Sequence, residues 1–277
     1  MHEIKSFANG FEYVEVGNSV AHAKIAFQGA HIFEYNSDGK DLLWLSESSK
    51  FELGESIRGG IPICWPRFGN LDTSLPQHGF ARVFLFDLIN VDESSPNKTT
   101  LHFRLKESEK SREIWDYKFE LEVIFIISDT LQVELKTTNT DAKAFMITQA
   151  LHSYFKISNI ANVHIKGLQN KPYFDALTGE YARQEDLISI DKEVDRIYQE
   201  VDKDIVLIDK DREIKIKVSG SKSAIIWNPW IQKCKRMSAM TADAYKKFVC
   251  IESANALDDF KMLGAKQKNS LTVTYTF

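Results

Sequence analysis

The dominant period along this chain is two. In Phe119-Glu-Leu-Glu-Val-Ile-Phe-Ile-Ile127 every odd position is apolar, and the even positions begin with Glu120 and Glu122. Leu131, Val133 and Leu135 alternate with Gln132, Glu134 and Lys136. The same alternation runs through Leu101–Lys106, Ile214–Val218 and Leu271–Phe277. Successive side chains of a strand point to opposite faces, so each run predicts a strand with one dry and one wet face. That is the pattern of antiparallel sheet, since parallel βαβ strands are apolar on both sides.

Short polar turn sequences separate these runs: Ser37-Asp-Gly39, Asp92–Asn97, Ser128-Asp-Thr130 and Ser219-Gly-Ser221. Many short strands at close spacing predict a sandwich or barrel. Helical signal is weak, with Asp243–Phe248 offering a turn or two, and the stretch from Tyr173 to Tyr198 reads as mixed and loop-rich. There is no internal repeat, low-complexity tract or linker. The expectation is an all-β chain with few short helices, residues 1–277 forming one domain of two packed antiparallel sheets.

Composition narrows the function classes. With 277 residues, 43% hydrophobic and 27% charged, the chain can bury a full core without staples. Its formal net charge of −4 gives no global field for a polyanion, so no nucleic-acid partner is expected. No apolar run is long enough for a bilayer and no signal-peptide core follows Met1, so no membrane partner is expected. Three cysteines without close spacing, Cys64, Cys234 and Cys250, are neither a disulfide framework nor a zinc site, which favours a reducing cytoplasm. Nothing demands a second subunit, and a monomer is expected. The seven histidines include no close pair, and neither nucleotide-binding glycine motif nor a Gly-x-Ser-x-Gly elbow occurs. No metal and no cofactor are expected.

Candidate chemistry lies where the period breaks. Arg58-Gly-Gly-Ile-Pro-Ile-Cys-Trp-Pro-Arg-Phe-Gly-Asn70 holds two prolines and three glycines in thirteen residues, a rigid irregular loop carrying Arg58, Trp65 and Arg67. Gln77, His78 and Arg82 crowd the entry to an apolar run, Val83–Phe86, read as a strand. Arginine grips phosphate or carboxylate in bidentate fashion, so Arg58 and Arg82 could form a clamp; solvated or acid-paired arginines are the alternative. His152 lies in the apolar Ala150–Phe155 and reads either as a hydrogen-bonded core histidine or as a proton carrier. Glu252 ends the apolar run Phe248–Ile251; buried, it would be tuned toward acid–base work, and otherwise it reaches solvent. Asp195 is locally one more acid in a polar stretch. Trp227 and Trp230 flank Asn-Pro and suit sugar faces or ordinary packing.

Taken in order, Arg58–Gly69, Gln77–Arg82, Leu151–Phe155, Trp227–Trp230 and Val249–Glu252 resemble the motifs of the hexose-6-phosphate mutarotases (glucose-6-phosphate 1-epimerases), relatives of the aldose 1-epimerases. The resemblance spans nearly the whole chain. It implies a large antiparallel β-sandwich of the galactose mutarotase type, a phosphosugar as the small-molecule substrate, and interconversion of its anomers by ring opening and closure. It further implies His152 and Glu252 as the catalytic acid–base pair. Arg58, Gln77, Arg82 and Asp195 become substrate-binding positions, with His78 beside them, and the compact stretch from Gly69 to Pro76 implies a distinct loop beside the phosphate. Competing readings are a sandwich that binds phosphosugars without turnover, an epimerase of free aldoses, and a sandwich glycosidase or lyase.

Overall fold

All five alternating runs become strands, and they are neighbours in one sheet. The computed structural model describes residues 1–70, 74–210 and 212–277; residues 71–73, within the 69–76 stretch expected to form a distinct loop, and residue 211 lie outside the described residues. Among the described residues the larger sheet has nine strands. Its centre runs in the order Arg212–Ser219, Lys268–Thr276, Leu131–Asn139, Phe119–Ile127, Lys98–Lys106, all antiparallel. Leu131–Asn139 alternates buried and half-buried along its whole length, as its sequence predicts. Val133 sits opposite Phe125 on one side and Val273 on the other, and Leu131 and Leu135 continue the same apolar face.

A second sheet of eight strands packs over that surface. Its core is Val194–Tyr198, Ser223–Asn228, Phe248–Asn255 and Gln149–Leu151, with Ile63–Cys64 beyond and Tyr154–Lys156 also pairing with Phe248–Asn255. Ser223–Asn228 and Phe248–Asn255 are buried at every position. One face, carrying Ile226, Val249 and Ile251, joins the inter-sheet core with Val133, Phe125 and Tyr275. The other, carrying Ile225, Trp227 and Cys250, lies in a separate cluster with Trp44, Tyr154 and Phe248.

Several sequence-based expectations need correction. An additional five-stranded antiparallel sheet fills His2–Asp41, and Phe145–Ile147 pairs with Lys261–Leu263, so the architecture exceeds two sheets. The 173–198 stretch is strand-rich rather than loop-rich, with Pro172–Asp175, Glu180–Arg183, Ile188–Ser189 and Val194–Tyr198. Strand Asp87–Ser95 runs through most of the 92–97 turn signal. Val83–Phe86 is no strand: a 3-10 turn, Ala81–Val83, leads to an isolated bridge at Leu85. The 243–248 signal does form a turn, the 3-10 turn Ala244–Lys246, but short α-helices also form at Glu109–Ile114 and Trp230–Arg236, which no helical signal marked.

Candidate active site

Strand register brings His152 and Glu252 together. Leu151 pairs with Ser253 and Tyr154 with Cys250 in one unbroken register, so the intervening His152 and Ser153 face Glu252 and Ile251. The His152 backbone N–H turns away from that ladder and donates to the Pro62 carbonyl at 3.0 Å. Directly opposed residues share a face of the sheet, and His152 Nε2 lies 3.2 Å from Glu252 Oε1. Glu252 is 1% exposed and His152 8%, so Glu252 does not reach solvent and its strand does not end there. Among the described residues Glu252 Oε2 and His152 Nδ1 are buried without a hydrogen-bond partner. Buried polar atoms are almost always paired, so these two orphans leave hydrogen-bonding capacity open at the pair.

Burial also sets where the pair's proton lies. Loss of water raises the Glu252 carboxyl well above its ordinary range, and the Asp195 charge adds to the rise. Desolvation lowers His152 well below 6.5, with His78, Arg58 and Arg82 opposing a second positive charge nearby. The favoured state is therefore a neutral imidazole beside a protonated carboxyl. An acidic His152 with an ionised Glu252 is the other arrangement of that same single proton.

The loop that carries Arg58 is locked by backbone approach. Gly60 has φ +65°, and a Cβ there would stand 2.4 Å from the Ile32 carbonyl oxygen and 2.8 Å from His31 Nε2. The buried His31 donates from Nε2 to the Gly59 carbonyl at 2.8 Å, and the cost of charging it in that site lowers it to about 4. Arg58 donates from Nη1 to the Tyr154 hydroxyl at 3.4 Å, while its Nε is buried and without a partner among the described residues. Trp65 faces the core, not the site: it is fully buried and its indole N–H donates to Thr137 Oγ1 at 2.9 Å.

Arg82 donates from Nη2 to the Gln77 carbonyl at 2.8 Å, which ties it to the turn bearing Gln77 and His78. Among the described residues neither Arg58 nor Arg82 has a carboxylate in salt-bridge range, against the acid-paired alternative. Both lower His78, which desolvation and their charges bring to about 3, and both act on His152. The guanidinium groups and the His152–Glu252 pair therefore share one electrostatic neighbourhood. The His78 ring stands 5.8 Å from that of His152, edge-on. Gln77 is exposed on the same turn.

His78 and Gln77 also line a cleft of about 480 Å³ with Arg67, Phe68, Phe174, Asp195, Ile197 and Lys233. Asp195, on the strand beside Ser223–Asn228, sits opposite Trp227. Burial pushes its carboxyl up to about 6, against the pull of Lys233 Nζ 3.8 Å away. Trp227 meets the His152 ring edge-on at 5.9 Å, whereas Trp230 packs against Tyr245. The sequence reading missed Lys233 and Tyr154. Lys233 lies in a helix too short to show a period; Tyr154 stands two residues from His152, the strand spacing that puts both on one face. Among the described residues no cluster of three or more His, Cys, Asp or Glu is arranged for a metal, and no helix is long and apolar enough to cross a membrane.

Comparison with known proteins agrees with this architecture. The family profile described as aldose 1-epimerase matches residues 12–276. A candidate glucose-6-phosphate 1-epimerase of the plant Cenchrus ciliaris is 33% identical over 245 residues, covering 84% of this chain and 74% of that one. A protein of the same description from Salmonella typhimurium is 33% identical over 251 residues, covering 88% and 83%. The crystal structure of YeaD from Salmonella typhimurium, described as a candidate mutarotase, superposes with a TM-score of 0.92 at 30% identity, covering 99% of this chain and 92% of that one. The β-sandwich, the resemblance of its motifs and these matches lead to one assignment: the chain belongs to the aldose 1-epimerase family.

Proposed function

We propose that this protein interconverts the α and β anomers of a hexose 6-phosphate, glucose 6-phosphate foremost. The carrying observation is the buried His152–Glu252 pair at 3.2 Å, with polar atoms orphaned and two guanidinium groups lacking carboxylate partners among the described residues. Glu252 takes the C1 hydroxyl proton as the C1–O5 bond breaks. The bond's electron pair goes to O5, which takes a proton from His152, and C1 becomes a carbonyl. Rotation about C1–C2 and reversal of both transfers close the ring as the other anomer, with no net redox change.

The cycle begins with an ionised Glu252 beside a protonated His152, the arrangement that burial disfavours in the empty site, and ring opening moves the pair to the state that burial favours. Arg58 and Arg82 oppose the imidazolium that begins the cycle. A phosphate dianion between them would remove that opposition, so the anionic tail both anchors the sugar and charges the acid. Gln77, His78 and Asp195 are assigned to the sugar hydroxyls. The working unit is one chain acting as a monomer, residues 1–277 as a single domain, in a cytoplasm that keeps the free, buried Cys64, Cys234 and Cys250 reduced.

Exchange NMR between the anomers of glucose 6-phosphate, with free glucose in parallel, tests the reading. Accelerated exchange for the phosphosugar with weak or no acceleration for glucose is expected. Binding of glucose 6-phosphate without acceleration would make the protein a binding module, and equal acceleration of both sugars would remove the phosphate from the mechanism.

A further inference from the structure

A histidine that moves protons is ordinarily held in orientation by a hydrogen bond to its other ring nitrogen. His152 has no such bond: Nδ1 is buried without a partner among the described residues. Its ring lies flat against Tyr154, with centroids 4.8 Å apart and planes within 8°. Trp44 stacks on Tyr154 at 5.8 Å, Phe248 stacks on Trp44 at 4.4 Å, and the Trp44 backbone N–H donates to the Tyr154 carbonyl at 2.9 Å. Trp227 closes the side, edge-on to both rings at about 6 Å. The column is fully backed, so the imidazole plane is fixed by ring packing.

The same tyrosine reaches the anion-holding part of the site. Its hydroxyl accepts from Arg58 Nη1 at 3.4 Å, while the Arg58 Nε is buried without a hydrogen-bond partner among the described residues. Tyr154 is fully buried, so its hydroxyl stays protonated and neutral, available to steer a guanidinium without competing with a phosphate for its charge. We propose that Tyr154 is the positioning residue that joins the two halves of the site: its ring face orients His152 for proton transfer, and its hydroxyl aims Arg58 at the substrate's phosphate. This rests on the functional reading above and assigns it one further residue.

The two roles separate by substitution. Tyr154→Phe keeps the ring and removes the hydroxyl. It is expected to hold kcat within about 2-fold while raising KM for glucose 6-phosphate, and the inhibition constant of inorganic phosphate, together by about 3–10-fold, a modest loss suited to a long charge-assisted bond. Tyr154→Leu removes the ring and is expected to lower kcat by about 10–10²-fold, as misorientation of a reacting group does. The ¹⁵N resonances of the His152 imidazole should stay at wild-type positions in Tyr154→Phe and move in Tyr154→Leu, a readout that a general loss of packing in a folded protein would not divide this way. The proposal is overturned if Tyr154→Phe leaves KM and phosphate inhibition at wild-type values, or loses as much kcat as Tyr154→Leu. Calorimetric titration of both proteins with inorganic phosphate needs no turnover. It therefore judges the role of the hydroxyl even if the wild type proves unable to speed anomeric exchange, which would defeat the functional reading instead.

Discussion

The two large sheets solve opposite problems. In the nine-stranded sheet, strands such as Leu131–Asn139 bury every second residue and leave the others half-exposed, so Gln132, Glu134 and Lys136 keep access to water. The eight-stranded sheet is dry on both faces where it matters: Phe248–Asn255 is buried throughout, yet it carries a carboxylate at Glu252. A group so placed loses most of its hydration and is tuned by what remains around it. The first sheet supplies stability; the second accepts the cost of burying His152 and Glu252, the pair proposed to carry the chemistry.

The strongest break of that contrast comes from two glutamates, one from each sheet. Glu252→Gln keeps the shape and removes the proton acceptor. Anomeric exchange of glucose 6-phosphate should fall by about 10²–10⁴-fold with substrate binding largely kept. Glu134→Gln, on the half-exposed face of the other sheet where the carboxylate accepts from Ser270 Oγ, should leave exchange unchanged. Near-wild-type turnover in Glu252→Gln would remove it from the chemistry.

Next in size is a core truncation in the sheet that carries no chemistry. Leu135 is fully buried between Val123 and Leu271. Leu135→Ala should cost about 2–5 kcal/mol of unfolding free energy through lost burial and the cavity left behind. Denaturant titration reads that loss, while kcat of the folded enzyme should be unaltered. A kcat loss at full folding would mean that the two sheets are coupled through the core.

The same contrast explains what could be read from sequence. Alternation survives where one face meets water, so the strands around Leu131, Phe119, Leu101, Ile214 and Leu271 are legible by period alone. Phe248-Val-Cys-Ile offers no period because both its faces are dry, and only its motif pointed to Glu252. Glu180–Arg183 fails for the reverse reason: all four residues are exposed at a sheet edge, so no apolar face announces a strand. His152 and Glu252 lie 100 positions apart in sequence; their opposition is fixed by register, which local pattern does not carry. The resemblance of the motifs supplied the pair and the two arginines, but Tyr154 and Lys233 required the packing.

A smaller effect separates Asp195 from the acids of the other sheet. An unfolded aspartate releases its proton near 3.8, and in the fold Asp195 retains it to about 6. Between those values the unfolded chain binds fewer protons than the folded one, so stability falls as pH rises through the window and the deficit is complete above it. Allowing for the 29% exposure of its side chain, the cost at pH 8 is on the order of 2 kcal/mol. Asp195→Asn should therefore melt higher than wild type at pH 8 and close to it at pH 4, while binding the sugar less well. Equal melting differences at both pH values would show that the carboxyl carries no folding penalty.

The smallest effect bears on whether the nine-stranded sheet is as tolerant as its pattern implies. Gln132 lies on the half-exposed face, opposite Ile126 and Thr274, and accepts a long 3.5 Å bond from the Thr274 hydroxyl. Gln132→Thr exchanges a flexible side chain for a β-branched one that suits a pleated surface and can still bond across the strands. The two gains and the lost contact are of similar size, so unfolding free energy should move by no more than about 0.5 kcal/mol. Denaturant midpoints at unchanged slope are the measurement. A loss above about 1 kcal/mol would show that this face is packed against something and not merely wetted, and the division of labour between the sheets would have to be redrawn with chemistry or a contact on both.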